Sequence, residues 1–537
     1  MLGKPTEVEL KLWVAPEDML ALRNHPHFTG SLHNPTHEIL DSVYFDSDDR
    51  FLRDHGLTLR VRHIDDKRVQ TIKSTDHGVG LFERSEWEQT IEGDQPDLSC
   101  VKDTVLGRIL NDEARKVLKP VFETRIERTG YHLNENGADI VMAIDEGQIL
   151  ATGSSRPVSE IELELKHGNP ADLFKVARDI LDIVPAHLDF KSKPERGYEL
   201  IEKKGVAVET AYDPELSAGM SAGRAFTLVG RACLRHLVAN VPAMIGRDGN
   251  ALHQMRVALR RLRAAISLFS AVVGDDRADA IKTELRWLAQ ELGPARDLDT
   301  LLFEVIKPLQ KQHTNEPGLV SISNMFTRKL LKNYRQAQEA VQSARFRTQV
   351  LDTAEWVEAG PWSTSEDALM RARREMPIAI YAGEQLSHRC KRIRRRGTRI
   401  NDLNPQQLHR LRIQVKKARY ATEFFSGVYR GKKSAKQCKK IKSSLMRLQN
   451  CLGGVNDIVT HKALFADIIA SRARGLTEEQ SRHRAFAAGL VIGDQQAQIQ
   501  KLLDRARKAY SRFDRAKAFW KLPNGSSTVP PAAEKQL

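Results

Sequence analysis

Seven short stretches of the chain place charged residues at every second position: Glu7-Val8-Glu9-Leu10-Lys11, Leu59-Arg60-Val61-Arg62, Thr71-Ile72-Lys73, Glu86-Trp87-Glu88, Arg125-Ile126-Glu127, Glu160 to Lys166 and Lys191-Ser192-Lys193. Strict alternation is the period of a β-strand, so each stretch has one uncharged, mainly apolar face and one charged face. A single strand of this kind fits a sheet whose charged face meets water. Seven of them, with both signs of charge, can instead curl into a barrel whose interior is the charged side. Carboxylates in such a lumen suit hard divalent cations, and Arg and Lys suit phosphate oxygens, which together describe a metal–polyphosphate site.

At 537 residues the chain is too long for one core, and its charge divides it. Residues 1–205 hold 27 Lys+Arg against 38 Asp+Glu, and the remainder 57 against 31. Halves of opposite sign imply different surfaces and different duties. The five cysteines are scattered and never in C-x-x-C spacing, which argues against a disulfide framework or a thiolate zinc site. No leader-like segment and no membrane-length apolar run is present, so the expected setting is cytoplasmic with no membrane partner.

Helical patterns interrupt the acidic half near Pro16–Arg23, Val105–Lys116 and Pro170–Leu181, the last opened by Asn169-Pro170. A Gly-, Ser- and Pro-containing stretch then predicts a linker over 206–221, between units at 1–205 and 222–520. The order of the charged stretches, with Tyr44-Phe45-Asp46, Ala143-Ile144-Asp145 and Lys193-Pro194-Glu195-Arg196-Gly197-Tyr198 among them, resembles the CYTH domains, the triphosphate tunnel metalloenzymes. Glu7-Val8-Glu9-Leu10-Lys11 matches their ExExK signature.

The resemblance implies an eight-stranded antiparallel tunnel with flanking helices that holds a linear triphosphate and one or two Mg²⁺ or Mn²⁺ ions. Position by position, it implies that Lys11, Arg60, Arg62, Lys73, Arg125, Lys191 and Lys193 contact phosphate. Glu7, Glu9, Asp145, Glu162 and Glu164 would hold metal, with Glu160 just beyond it. Glu86 and Glu88 would hold a second metal or position water, beside Arg60 as a further catalytic group. Asp46 reads as a turn residue, Trp87 as core, and His37, His55, His63 and His77 fit no metal-ligand spacing.

The basic half is dominated by helical period and contains a repeat. His253-x-x-Arg256-x-x-x-Arg260-Arg261-x-Arg263 recurs 156 residues later as His409-x-x-Arg412-x-x-x-Lys416-Lys417-x-Arg419. Leu288-x-x-x-Leu292-Gly293-x-x-x-Asp297 recurs 160 residues later at Leu448 to Asp457. This is duplication of a helical unit. The first His and the positions three, seven and ten later share one helical sector, and further arginines crowd 389–399. These residues resemble the CHAD domain, which implies duplicated four-helix bundles whose basic surface binds inorganic polyphosphate through His253, Arg256, Arg260, Arg263, His409, Arg412, Lys416 and Arg419. Lys at 416 and 417 keeps the charge but loses the bidentate fork of Arg.

The nearby aromatics, Phe269, Tyr420, Phe424, Phe425 and Tyr429, are mostly spaced for helix cores, so no base-stacking platform for nucleic acid is visible. Residues 521–537, rich in Pro, Gly and Ser, read as a disordered tail. The expected activity is metal-dependent hydrolysis of inorganic triphosphate to phosphate and pyrophosphate. Hydrolysis of thiamine or nucleoside triphosphate, adenylyl cyclisation, and a polyphosphate-binding scaffold with little catalysis are the alternatives.

Overall fold

The computed structural model describes residues 6–26, 35–64, 66–74, 81–99, 101, 104, 106–107, 117–135, 137–202, 205–400, 402–470 and 476–520; at 6–7, 81–85, 135 and 467–470 the backbone alone is described. The helix expected at Val105–Lys116 falls largely outside these residues, as do His77, Cys100, the tail at 521–537 and the side chain of Glu7.

Among the described residues nine strands form one antiparallel sheet: β1 (Thr6–Trp13), β2 (Thr36–Asp46), β3 (Leu57–Ile64), β4 (Lys67–Ser74), β5 (Leu81–Ile91), β6 (Lys119–Glu135), β7 (Ala138–Ala151), β8 (Ser154–His167) and β9 (His187–Leu188). Their order is β5-β4-β3-β2-β6-β7-β8-β1-β9, and β1 pairs with β5 as well. Pairing of β1 with β8 along one edge and with β5 along the other brings the run of strands back toward its start. The expected count of eight becomes nine because the two-residue β9 also pairs with β1, at Leu12 and Trp13.

The alternation reads as expected on β1 and β8. Leu10, Leu12, Ile161 and Leu163 are fully buried in the core beneath helix α2 (Pro170–Ile183), while Glu9, Lys11, Glu162 and Glu164 line an internal cavity. Helix α1 (Pro16–Arg23) matches its expected bounds. Asn169 opens α2 through a capping box with Asp172, satisfying backbone donors that a helix start leaves unpaired.

One of the seven stretches is not a strand. Lys191-Ser192-Lys193 leads into helix α3 (Lys193–Ile201), because Ser192 and Glu195 form a capping box and Pro194 occupies the first turn. Helix α3 packs on β6 and β7. Its Tyr198 hydroxyl donates to Asp46 at 2.7 Å, and Asp46 also accepts from the backbone of Ser47, Leu52 and Arg53. Asp46 is thus the turn-organising residue that its sequence context suggests.

The remaining chain is mostly helical. Helices α4 (Ala222–Val238), α5 (Gly249–Leu268) and α6 (Asp276–Glu291) are followed by α7 (Pro317–Gln342) and α8 (Ala344–Ala359). Then come α9 (Ile378–Gly397), α10 (Pro405–Phe424), α11 (Lys432–Ala470) and α12 (Glu478–Asp514). The starts of α9, α10 and α11 fall 156 residues after those of α4, α5 and α6, the interval of the basic motif. The two halves also exchange reciprocal backbone bonds: Ala222 N–H donates to Met376 O at 2.8 Å, and Ile378 N–H donates to Met220 O at 2.7 Å. Equivalent residues bonding each other's counterparts is the pattern a two-fold axis produces.

Gly197 sits where a side chain has no room, since a Cβ there would lie 2.4 Å from the Phe122 ring, which stacks on Tyr44. Gly197→Val should therefore lower stability by ~1–3 kcal/mol, measured as an earlier urea unfolding transition of the strand-rich region.

Candidate active site and basic helical cluster

A cavity of about 230 Å³ lies within the sheet, with β1, β2, β3, β4, β5, β6 and β8 and the start of α3 contributing to its lining. Register decides which charges meet in it. Thr58, Lys73 and Glu86 fall on one rung across β3, β4 and β5, and Arg60, Thr71 and Glu88 on the next. Lys73 Nζ lies 2.9 Å from Glu86, and Arg60 lies 3.9 Å from Glu86 and 3.8 Å from Glu88. Thr71 donates to Glu88 at 2.9 Å. Burial pushes the Arg62 guanidinium down, and the Arg60 and Arg128 charges push it further, to about 10. An anion beside Arg62 would relieve that crowding.

On the opposite side, Arg128, Asp145 and Glu160 are register neighbours across β6, β7 and β8, and Glu162 stands opposite Lys11 of β1. Lys193 Nζ donates to Asp145 at 2.6 Å, Glu160 at 2.5 Å and Glu162 at 3.0 Å. Lys11 donates to Glu160 at 3.2 Å and Glu162 at 2.5 Å. Arg128 grips Asp145 with two bonds and reaches Glu162 at 2.5 Å. Arg196 pairs with Glu160. Burial alone would raise Asp145 and Glu162, but Lys193, Arg128 and, for Glu162, Lys11 hold both carboxyls below the usual range, Glu162 well below.

Oxygens of Asp145, Glu160 and Glu162 lie within 4.8 Å of one another. A carboxylate set suits a hard divalent cation, but Lys193 already sits on these three and Asp145 and Glu160 do not line the cavity, so the carboxylates placed to fit the metal that the tunnel resemblance implies are Glu162 and its cavity neighbours. Glu9 is buried nearby and lines the cavity with Glu162 and Glu164.

Several expected residues lie elsewhere. Arg125 is on the outer face of β6, its side chain 62% exposed and nearest Glu123. The inward positions of this strand are even-numbered, so Arg128 takes the place expected of Arg125. The signal was an arginine in phase with Phe122, Thr124 and Ile126, an otherwise uncharged face. Lys191 turns to Glu199 at 2.5 Å and is not among the residues lining the cavity. Tyr44, to which the sequence assigns no role in the site, also lines the cavity; burial raises its hydroxyl, but Arg60 and Arg62 outweigh this and lower it.

In the helical region the duplicated motifs meet where α5 packs on α10. Arg256 donates to Gly293 O and pairs with Asp297 at 3.0 Å, and Arg412 lies beside the equivalent Gly453, its Nε 3.7 Å from where a Cβ would stand. Burial lowers Lys416 to about 8, assisted by Arg260, Arg412, Arg263 and Lys417. Burial, with Arg296, Arg260 and Arg256, lowers His253 to about 4, so it is a neutral member of the cluster near pH 7. His409 hydrogen-bonds Asn456 at 2.7 Å, and Arg419 donates to Gln449 at 2.8 Å and Glu423 at 2.7 Å. Phe269, Tyr420, Phe424, Phe425 and Tyr429 are buried. No helix among the described residues is long and apolar enough to cross a membrane.

The chain carries a CYTH domain at residues 5–198 and a CHAD domain at 229–466, and so belongs to the proteins that join the two. Among its relatives is an inorganic triphosphatase of Haemophilus influenzae, 32% identical over 206 residues, a match spanning 37% of this chain and 56% of that protein. The matched segment is thus little more than half the length of this curated relative. A crystal structure of the CHAD domain from the plant Ricinus communis is 29% identical, with a TM-score of 0.46, and covers 57% of this chain and 97% of that one. PptA from Streptomyces chartreusis is 16% identical, with a TM-score of 0.39, covering 54% and 100%.

The depressed carboxyls give a signed expectation. Ionised Asp145 and Glu162 contribute stability above the unfolded carboxylate range near ~4, and that contribution is lost as pH falls through their lower folded values. Arg128→Ala removes one of the cations that hold them down, so its acid unfolding midpoint should move to higher pH than that of the wild type, followed by circular dichroism.

Proposed function

We propose that this protein is a divalent-metal-dependent inorganic triphosphatase whose helical region binds polyphosphate. Residues 1–205 would form the hydrolase, 206–221 the connection and 222–520 the binding unit. The observation that carries the catalytic reading is one cavity in which Lys11, Arg60, Arg62, Lys73, Arg128 and Lys193 face five carboxylates, Glu9, Glu86, Glu88, Glu162 and Glu164. A linear triphosphate has several negative charges, and a ring of fixed cations neutralises them and stabilises the charge that develops on the leaving group.

Glu9, Glu162 and Glu164, the carboxylates of β1 and β8 that line the cavity, would hold Mg²⁺ or Mn²⁺, and the ion would supply Lewis acidity toward phosphoryl oxygens. Arg60 and Lys73 orient one end of the substrate beside Glu86 and Glu88. Those carboxylates align water and accept its proton as the new P–O bond forms and the bond to the departing pyrophosphate breaks. The cationic lining and the small volume favour tripolyphosphate over a nucleotide.

Tripolyphosphate should yield phosphate and pyrophosphate only with added metal, and Arg60→Ala should lower kcat by about 10²–10³-fold, read by phosphate release. Undiminished turnover in chelator, or cyclic AMP from ATP, would overturn the assignment. For the helical region, Lys416 is charged below about pH 8 and loses its proton above it. Polyphosphate affinity should therefore weaken between pH 7 and 9, measured by titration calorimetry, and Lys416→Arg should flatten that dependence.

A further inference from the structure

The duplication is broken along α9 and α10. On α9 and α10, Arg389, Arg392, Arg396, Arg410 and Lys417 line a groove with Gln414 and Ile413, and no carboxylate is among its lining residues. None of the five cations has an ion pair among the described residues. The Nε of Arg389 and the Oε1 of Gln414 are buried without a hydrogen-bond partner. Burial lowers Arg389, and Arg392 adds to the effect; burial also lowers Lys417, with Arg389, Arg392 and Arg263 adding to it.

In the first half, 156 residues earlier, the same positions are filled differently. Cys233, His236 and Asn240 stand for Arg389, Arg392 and Arg396, and Gln254 and Arg261 stand for Arg410 and Lys417. There the chain itself covers the surface. Asn240 exchanges two hydrogen bonds with the Glu209 backbone at 3.1 and 3.0 Å, and Arg261 binds Asp213 at 2.6 Å and Tyr212 O at 3.3 Å. Arg261 is further neutralised by Glu423 at 3.2 Å.

We propose that the α9–α10 groove is an additional binding site for an inorganic polyanion, one that carries a long polyphosphate beyond the duplicated motif on one side only. Arg389 and Arg396 are half-buried and the other three cations exposed; five like charges gathered on one surface repel one another until an anion joins them, and no aromatic side chain lines the groove to stack a base. Lys417, which feels both Arg263 and the groove arginines, joins the groove to the motif cluster. The inference rests on polyphosphate binding by the helical region, and it predicts preference for long chains over tripolyphosphate.

The test uses the full chain, long-chain inorganic polyphosphate and a salt series. Arg392→Gln/Arg396→Gln/Arg410→Gln should keep the wild-type melting temperature, weaken binding by about tenfold and lower the slope of log K against log salt by about 2. A charge-matched control, Arg328→Gln/Lys332→Gln/Arg335→Gln on the exposed face of α7, should bind like the wild type. Equal weakening in both variants, or none in the first, overturns the groove. Single-stranded DNA displacing polyphosphate at equal phosphate concentration overturns it as well. If the triple variant fails to fold, the exposed single changes R392Q and R410Q carry the same comparison. A wild-type chain that binds no long polyphosphate is a different result, which sinks the binding reading for the whole helical region.

Discussion

The strand-rich region depends on one buried ammonium. Lys193 donates to Asp145, Glu160 and Glu162, carboxylates from two adjacent strands that would repel one another without it. Lys11 and Arg128 complete the neutralisation. Removing one partner from such a buried network strands the other charges, at a cost of about 3–5 kcal/mol. The same contacts tie the start of α3 to the sheet, so the helix that carries Lys193 and the site that uses it are held by one set of bonds. The arrangement spends stability on function, because apolar residues of the same volume would fill that space more cheaply.

The helical region is organised by a two-fold relation between its halves. Reciprocal bonds at Ala222 and Ile378 mark the axis, and α5 crosses α10 near it. Symmetry brings Arg260 and Arg263 close to Arg412 and Lys416, and the like charges show their proximity in the lowered Lys416. Neither copy of the motif alone would make that concentration of charge. Where the symmetry fails, at Arg261 and Lys417, one side is neutralised by Asp213 and Glu423 and the other is left cationic.

Much of this was legible along the chain because both periods are local. Alternation in β1, β3 and β8 assigned their inner and outer faces correctly, and the 156-residue interval of the basic motif recurs in the helix starts. Local pattern misled where two readings share it. The alternation Glu123-x-Arg125-x-Glu127 is equally that of an outer face in water, and only the pairing of Arg128 with Asp145 shows which parity points inward. Lys191-Ser192-Lys193 alternates like a strand, yet the Ser192–Glu195 capping box makes it a helix start.

By itself, then, the sequence determined the class of each half, the faces of most strands, the duplication and the types of charge available to each site. Those follow from side-chain periodicity and from composition, which need no long-range partner. Tertiary structure decided which charges meet. Register across β6, β7 and β8 set Arg128 beside Asp145, the turn into α3 brought Lys193 onto three carboxylates, and the packing of residues 209–213 covered one basic surface while its counterpart stayed open. Each of these depends on contacts between residues far apart in the chain, and no local period encodes them.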